Sequence, residues 1–157
     1  MKGKKNMGKY ATGILVLAAG IAFGVGMVMT TPEAEAETVV VYKSPTCGCC
    51  GKWVDHLRDN GFQVMVKDRA DMVPVKDELG VPFGLRSCHT AKVGGYVVEG
   101  HVPADQVKRL LDEKPDVAGL AVPGMPMGSP GMEGPRKDPY EVIAFRRDGG
   151  TRVYARR

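Results

Sequence analysis

The chain has 157 residues, 43% hydrophobic and 25% charged, with four cysteines, which excludes a disordered tail protein, a collagen-like repeat and a multidomain assembly. Its formal net charge of +4 is not a nucleic-acid footprint. Residues 1–29 hold Lys2, Lys4, Lys5 and Lys9 and no acid; setting those aside leaves 18 basic residues against 18 acids, so electrostatic capture of a polyanion loses its support.

The lysines precede an uncharged run, Tyr10–Met29, rich in Leu, Val, Ile, Ala and Gly, and Ala34-Glu35-Ala36 follows as a small-x-small cleavage site. This is the layout of a secretory signal. The run is longer than the ~7–15 residues of a usual signal core and matches the ~20 that cross a bilayer, so an uncleaved anchor over residues 10–29 is the alternative. Either way the lysines stay cytoplasmic and the bulk of the chain is placed outside, in the periplasm or another extracytoplasmic space. We therefore expect residues 1–36 to be a signal peptide or membrane anchor helix, 37–135 the folded domain, and 136–157 a C-terminal extension.

Thr38-Val39-Val40-Val41-Tyr42 reads as a buried strand. Lys43–Gly51 contains Pro45, Gly48 and Gly51 and predicts a loop. Lys52–Asn60 is helical by the spacing of Trp53, His56 and Leu57, with Gly61 as its stop. Phe62–Val66 alternates like a second strand, and the succession predicts a βαβ unit with a parallel strand pair. Asp71–Leu79 is a weaker helix, with Asp71 as its N-cap and Gly80 as its stop. Thr90–Val93 and Tyr96–Glu99 flank Gly94-Gly95 and predict a hairpin. Pro103–Lys114 predicts a helix ended by Pro115. Residues 123–135, crowded with Pro, Gly and Met, predict an irregular loop. Tyr140–Phe145 and Thr151–Tyr154 form a last hairpin around Asp148-Gly149-Gly150. The fold class expected is α/β and thioredoxin-like: a βαβ unit, a hairpin and a helix, plus the C-terminal hairpin.

Chemistry concentrates in the cysteines. Cys47, Cys49 and Cys50 share one loop, and Cys88 precedes the first hairpin. In a thioredoxin-like layout the loop after the first strand and the segment before the third lie side by side, which brings Cys88 to the other three. A helix N-terminus there favours thiolates. Three readings compete. Structural disulfides fit an exported protein, but three cysteines within four residues close no long loop, and adjacent Cys49 and Cys50 bridge only with strain. A redox dithiol fits Cys47 and Cys50, a C-x-x-C pair between strand and helix, but leaves Cys49 and Cys88 idle. Metal binding uses all four: thiolates select Cu(I), zinc or iron–sulfur clusters, and zinc is a competitor because Cys₄ zinc sites are common. Met125, Met127 and Met132, set in the Pro–Gly loop, tilt the choice to copper, which thioethers suit, though Met125 and Met127 equally fit as gap-filling core residues. His56, His89 and His101 are either secondary ligands or ordinary satisfied histidines, and His89, next to Cys88, is the best placed. Trp53 covers the site or packs in the core.

Lys43-Ser44-Pro45-Thr46-Cys47-Gly48-Cys49-Cys50, Trp53, His56-Leu57, Ser87-Cys88-His89-Thr90-Ala91, Gly95–Pro103, Gly119–Pro126 and Gly128–Met132, in that order, resemble the CopG-type periplasmic copper proteins over roughly Val39–Met132. The resemblance implies a thioredoxin-like fold in which Cys47, Cys49, Cys50 and Cys88 bind copper as Cu(I), with a multinuclear Cu(I)–thiolate cluster as one form. The residues themselves, apart from the resemblance, add His89, His101, Met125 and Met127 as secondary ligand candidates. It implies a role in copper handling and resistance, copper ions and other periplasmic copper-handling proteins as partners, and redox interconversion of copper as an added activity. Pro139–Arg157 lies outside the matched portion. The metal-binding reading stands beside a thiol–disulfide oxidoreductase built on Cys47 and Cys50, and beside a copper-dependent oxidoreductase that combines the two.

Overall fold

The computed structural model describes residues 37–157; the expected signal or anchor, residues 1–36 with the run 10–29, lies outside them. Among the described residues no helix is long and apolar enough to cross a membrane.

Strand β1 (Thr38–Lys43) pairs parallel with β2 (Gln63–Asp68) through the intervening helix α1 (Gly48–Asp59), as the βαβ pattern requires. The sheet then runs through β3 (His89–Val93), β4 (Tyr96–Glu99), β5 (Gly119–Ala121), β6 (Glu141–Phe145) and β7 (Thr151–Arg156) in the order β2-β1-β3-β4-β5-β6-β7. Helix α2 (Val73–Glu78) and a 3₁₀ turn (Phe83–Leu85) link β2 to β3, and α3 (Ala104–Glu113) links β4 to β5. The result is a mixed α/β architecture on one seven-stranded sheet.

Side-chain alternation along the strands sorts the core into two faces. Val39, Val41, Val98, Leu120 and Ala144 join the buried stripes Trp53-Val54-Leu57 of α1 and Val107-Leu110 of α3 in the main cluster, while Val97, Ala121 and Phe145 form a second cluster with Val81. The hairpin turn uses the two glycines as expected: Gly94 and Gly95 have φ of 53° and 85°, the left-handed pair that a type I′ turn needs. The C-terminal hairpin extends the sheet, because β6 lies antiparallel to β5.

Three elements differ from the sequence reading. Helix α1 starts at Gly48 rather than Lys52, with Cys47 as its N-cap. The first turn of a helix has no N–H groups bonded within the helix, so glycine there gives up little, and Gly51 N–H already bonds back to Cys47 O (3.3 Å). Strand β5 is a fully buried tripeptide, too short to show a period of two. For α2 the N-cap is Met72, although Asp71 Oδ1 accepts the Val73 N–H at 2.9 Å.

His56 serves the fold rather than the cysteines. Its Nε2 accepts the N–H of Ala104, the first residue of α3, at 3.0 Å, which satisfies one free donor of that helix. Burial holds its pKa below the ordinary 6.5, against the nearby carboxylates of Glu133, Asp105 and Asp59, which raise it. Because the folded pKa lies under the unfolded one, the unfolded chain takes up more protons below 6.5, and stability falls as pH drops through that value. His56→Ala is expected to lose about 1–2 kcal/mol near pH 8. In urea unfolding followed from pH 8 to pH 5, the variant's stability should then decline less steeply than the wild type's.

Candidate metal centre

The sheet register assembles the centre. β1 and β3 pair antiparallel with Lys43 opposite His89, so the residue before β3 lies beside the loop that leaves β1. That residue is Cys88. Cys47 caps α1, and Cys49 and Cys50 occupy its first turn. The sulfurs of Cys47, Cys49, Cys50 and Cys88 all lie within 4.8 Å of one another. The convergence expected from the sequence is therefore present, with the lone distant cysteine completing the set.

The four sulfurs are not equivalent. Cys50 is fully buried, and Cys47, Cys49 and Cys88 are partly buried. A disulfide joins Cys47 to Cys50 across a Cα–Cα distance of 5.4 Å, while Cys49 and Cys88 are free thiols. Cys49 Sγ sits 3.5 Å from Cys47 Sγ. The Cys88 thiol is pushed up to about 11, first by burial and then by the neighbouring Cys49. Desolvation thus outweighs any help from the helix N-terminus at this sulfur, and the Cys88 thiol stays protonated near neutrality.

A second cluster shares Cys88. His101 Nε2 approaches Cys88 Sγ at 3.1 Å and His89 Nδ1 approaches it at 3.3 Å, and the three ligand atoms fall within 4.8 Å of one another. The His101 Nδ1–H donates to Pro130 O at 2.8 Å, which fixes the tautomer and leaves the Nε2 lone pair facing sulfur. Both rings are wholly buried, and burial lowers both pKa values, most strongly that of His89. They are neutral donors. His89 Nε2 is a buried polar atom with no hydrogen-bond partner. Trp53 lies against His89 with ring centroids 4.3 Å apart, and its indole N–H donates to Val102 O at 2.8 Å. The two roles read from the sequence as alternatives coincide: Trp53 lies in the core and packs against His89.

The Met-rich loop reaches the centre through its far end. Pro130 supplies the carbonyl to His101, and a Cβ on Gly131 would meet Cys49 O at 2.7 Å and Trp53 N at 2.9 Å. Only glycine, here at φ 86°, lets the loop approach the helix start so closely. Glu133 accepts the Gly131 N–H at 2.7 Å, and Ser87 Oγ donates to Gly124 O at the loop's near end. Met125 is half-exposed, and Met127 packs its sulfur against Gly134. Sequence reasoning missed Lys76, Ser87 and Glu99, which lie beneath Cys88. No local sequence signal marks them, because Lys76 and Glu99 meet only through the tertiary fold.

A family described as "Protein of unknown function, DUF411" matches residues 85–132. Two solved structures, described as "Copper resistance protein copG" in forms 2 and 1, are each 48% identical to the chain. Each match spans 78% of this chain and 99% or 98% of the neighbour, with TM-scores of 0.75 and 0.74. A search of curated proteins returns no match. Identity at this level over nearly the whole of both neighbours makes the chain a member of the CopG copper-resistance protein family.

Proposed function

We propose that the protein holds copper as Cu(I) on Cys47, Cys49, Cys50 and Cys88 and serves copper handling and resistance in the cell envelope. The observation that carries this reading is the convergence of four soft sulfurs on one point, with solved relatives named as copper resistance proteins in support. The donor set fits the metal. Thiolates and neutral imidazoles suit Cu(I), and His89 Nδ1 and His101 Nε2 both lie within 3.3 Å of Cys88 Sγ. Cys47, Cys49, Cys50 and Cys88 are the primary ligands, sulfurs shared between ions allow more than one Cu(I), and His89, His101, Met125 and Met127 are the secondary candidates. When bound, the metal supplies a soft redox-active centre. Around it, the Pro130 carbonyl fixes the His101 tautomer, and Cys88 gives up its proton.

The strand order β2-β1-β3-β4, with β1 and β2 parallel and β3 antiparallel to both its neighbours, supports a thioredoxin-like core. Within the same reading, residues 1–36 are the export signal or membrane anchor, 37–135 the metal-binding domain and 136–157 its extension, and other copper-handling proteins of the periplasm are the partners.

The disulfide between Cys47 and Cys50 at the start of α1 favours a second reading. In a thiol–disulfide oxidoreductase the reduced Cys47 attacks a partner disulfide and Cys50 resolves the mixed disulfide. The partner then leaves as two thiols, and Cys47–Cys50 closes. The two roles exclude each other at any instant, because the closed disulfide withdraws two of the four sulfurs from a metal.

Anaerobic titration of the reduced protein with Cu(I) and with Zn(II), read by native mass spectrometry, separates them. At least one Cu(I) per chain is expected, with binding weakened in Cys88→Ser. Since Cys88 must lose a proton to bind, affinity should rise with pH, by up to about tenfold per unit for each proton released. Binding of less than one Cu(I), or a Cys88→Ser variant with unchanged stoichiometry and affinity, contradicts the copper reading. Disulfide exchange lost in Cys47→Ser and indifferent to Cys88→Ser supports the oxidoreductase instead.

A further inference from the structure

Beneath Cys88 lies a closed polar network that the metal centre does not use directly. Glu99, at the end of β4, is fully buried, and Lys76 on α2 is 5% exposed. Glu99 Oε1 accepts Lys76 Nζ at 2.6 Å and the backbone N–H of Ser87 at 2.5 Å, while Oε2 accepts Thr90 Oγ1 at 2.6 Å. Lys76 Nζ also donates to Thr90 Oγ1 at 2.9 Å. One carboxylate therefore grips both flanks of the dipeptide Cys88-His89. The acceptor for Ser87 N–H is this side chain, in a segment that precedes the ladder of β3.

The same residue governs the approach of His101. Glu99 sits opposite Thr90 in the β3–β4 pairing, and the next residue, Gly100, turns the chain at φ 70° with its N–H on His89 O at 3.0 Å. A Cβ at position 100 would meet Val122 O at 2.6 Å and Ser87 Cβ at 2.7 Å. Glu99 thus anchors the two backbone segments whose side chains meet as Cys88, His89 and His101.

Stability alone gives a weak reason for such a pair. Two charges removed from water lose most of their mutual attraction to desolvation, and apolar pairs of similar volume are often as stable or more so. A fully satisfied network instead specifies one geometry. We propose that Lys76 and Glu99 are positioning residues that hold the backbone at Ser87–Thr90 so that Cys88 faces the other three sulfurs and the two imidazoles. The inference rests on the copper reading only in its metal arm.

The test uses the full chain, reduced and metal-free. Alkylation of Cys88 relative to Cys49 by iodoacetamide, read by peptide mass spectrometry, reports the placement of Cys88 without any metal. In Lys76→Met/Glu99→Leu, which leaves no buried charge unpaired, the Cys88:Cys49 ratio should rise roughly tenfold as the thiol is released from its packed position. Glu99→Gln, which keeps an acceptor for Ser87 N–H, should change it less. Leu110→Ala, a core variant on α3, should leave the ratio at the wild-type value, which separates positioning from general destabilisation. Cu(I) affinity, measured by competition with a chromophoric chelator, should fall about 10–100-fold in the double variant. A double variant within twofold of wild type in both measurements overturns the proposal. Should that variant fail to fold, amide exchange in the wild-type protein decides: Ser87 N–H is expected to be as protected as the amides of β3, and exchange at an exposed-loop rate overturns the proposal. If the wild type binds no Cu(I), the copper reading fails while the alkylation and exchange arms still judge the positioning role.

Discussion

The centre depends on one register. Antiparallel pairing of β3 with β1 sets Lys43 against His89, and this carries Cys88, 40 positions further along the chain than Gly48 (88 − 48), back to the N-terminus of α1. A slip of one residue would turn Cys88 and Thr90 to the opposite face of the sheet. The register is held by burial on both strands, with Val39 and Val41 facing the main core on β1 and Ala91 and Val93 facing it on β3. The polar grip of Glu99 adds a second restraint at the end nearest the sulfurs.

Around that point, desolvation sets the chemistry. The imidazoles of His89 and His101 are kept neutral by burial, and the Cys88 thiol is kept protonated by the same cause. A site of this kind offers soft, uncharged donors at rest and becomes anionic only when a cation compensates the charge. The disulfide between Cys47 and Cys50 shows a further state available to the same sulfurs. While the disulfide is closed, only Cys49 and Cys88 remain as free thiols, so the proposed four-sulfur site requires its reduction.

Much of this was legible along the chain. The valine run of β1, the apolar stripe of α1, the Gly94-Gly95 turn and the prolines bracketing α3 each act locally, and each is found where its residues place it. The cysteine cluster was legible because the βαβ-hairpin order leaves the third strand beside the first. What the sequence hides are interactions without a local period. The start of α1 at Gly48 was obscured by glycines whose low helix propensity matters little in a first turn. Strand β5 carries its signal only in burial. His56 shares a helical face with Cys49, but seven residues at about 1.5 Å of rise each carry it roughly 10 Å away, to cap α3 instead. Lys76 and Glu99 are separated by two elements, and nothing in either neighbourhood announces that they meet.

The central claim is that sulfur from both parts of the chain surrounds the metal. Copper K-edge X-ray absorption on the reduced, Cu(I)-loaded protein addresses it directly. A first coordination shell dominated by sulfur, with fewer sulfur neighbours per copper or less bound copper once Cys88 is replaced by serine, is the expected result. A shell of nitrogen and oxygen alone, or one indifferent to Cys88, would contradict the account.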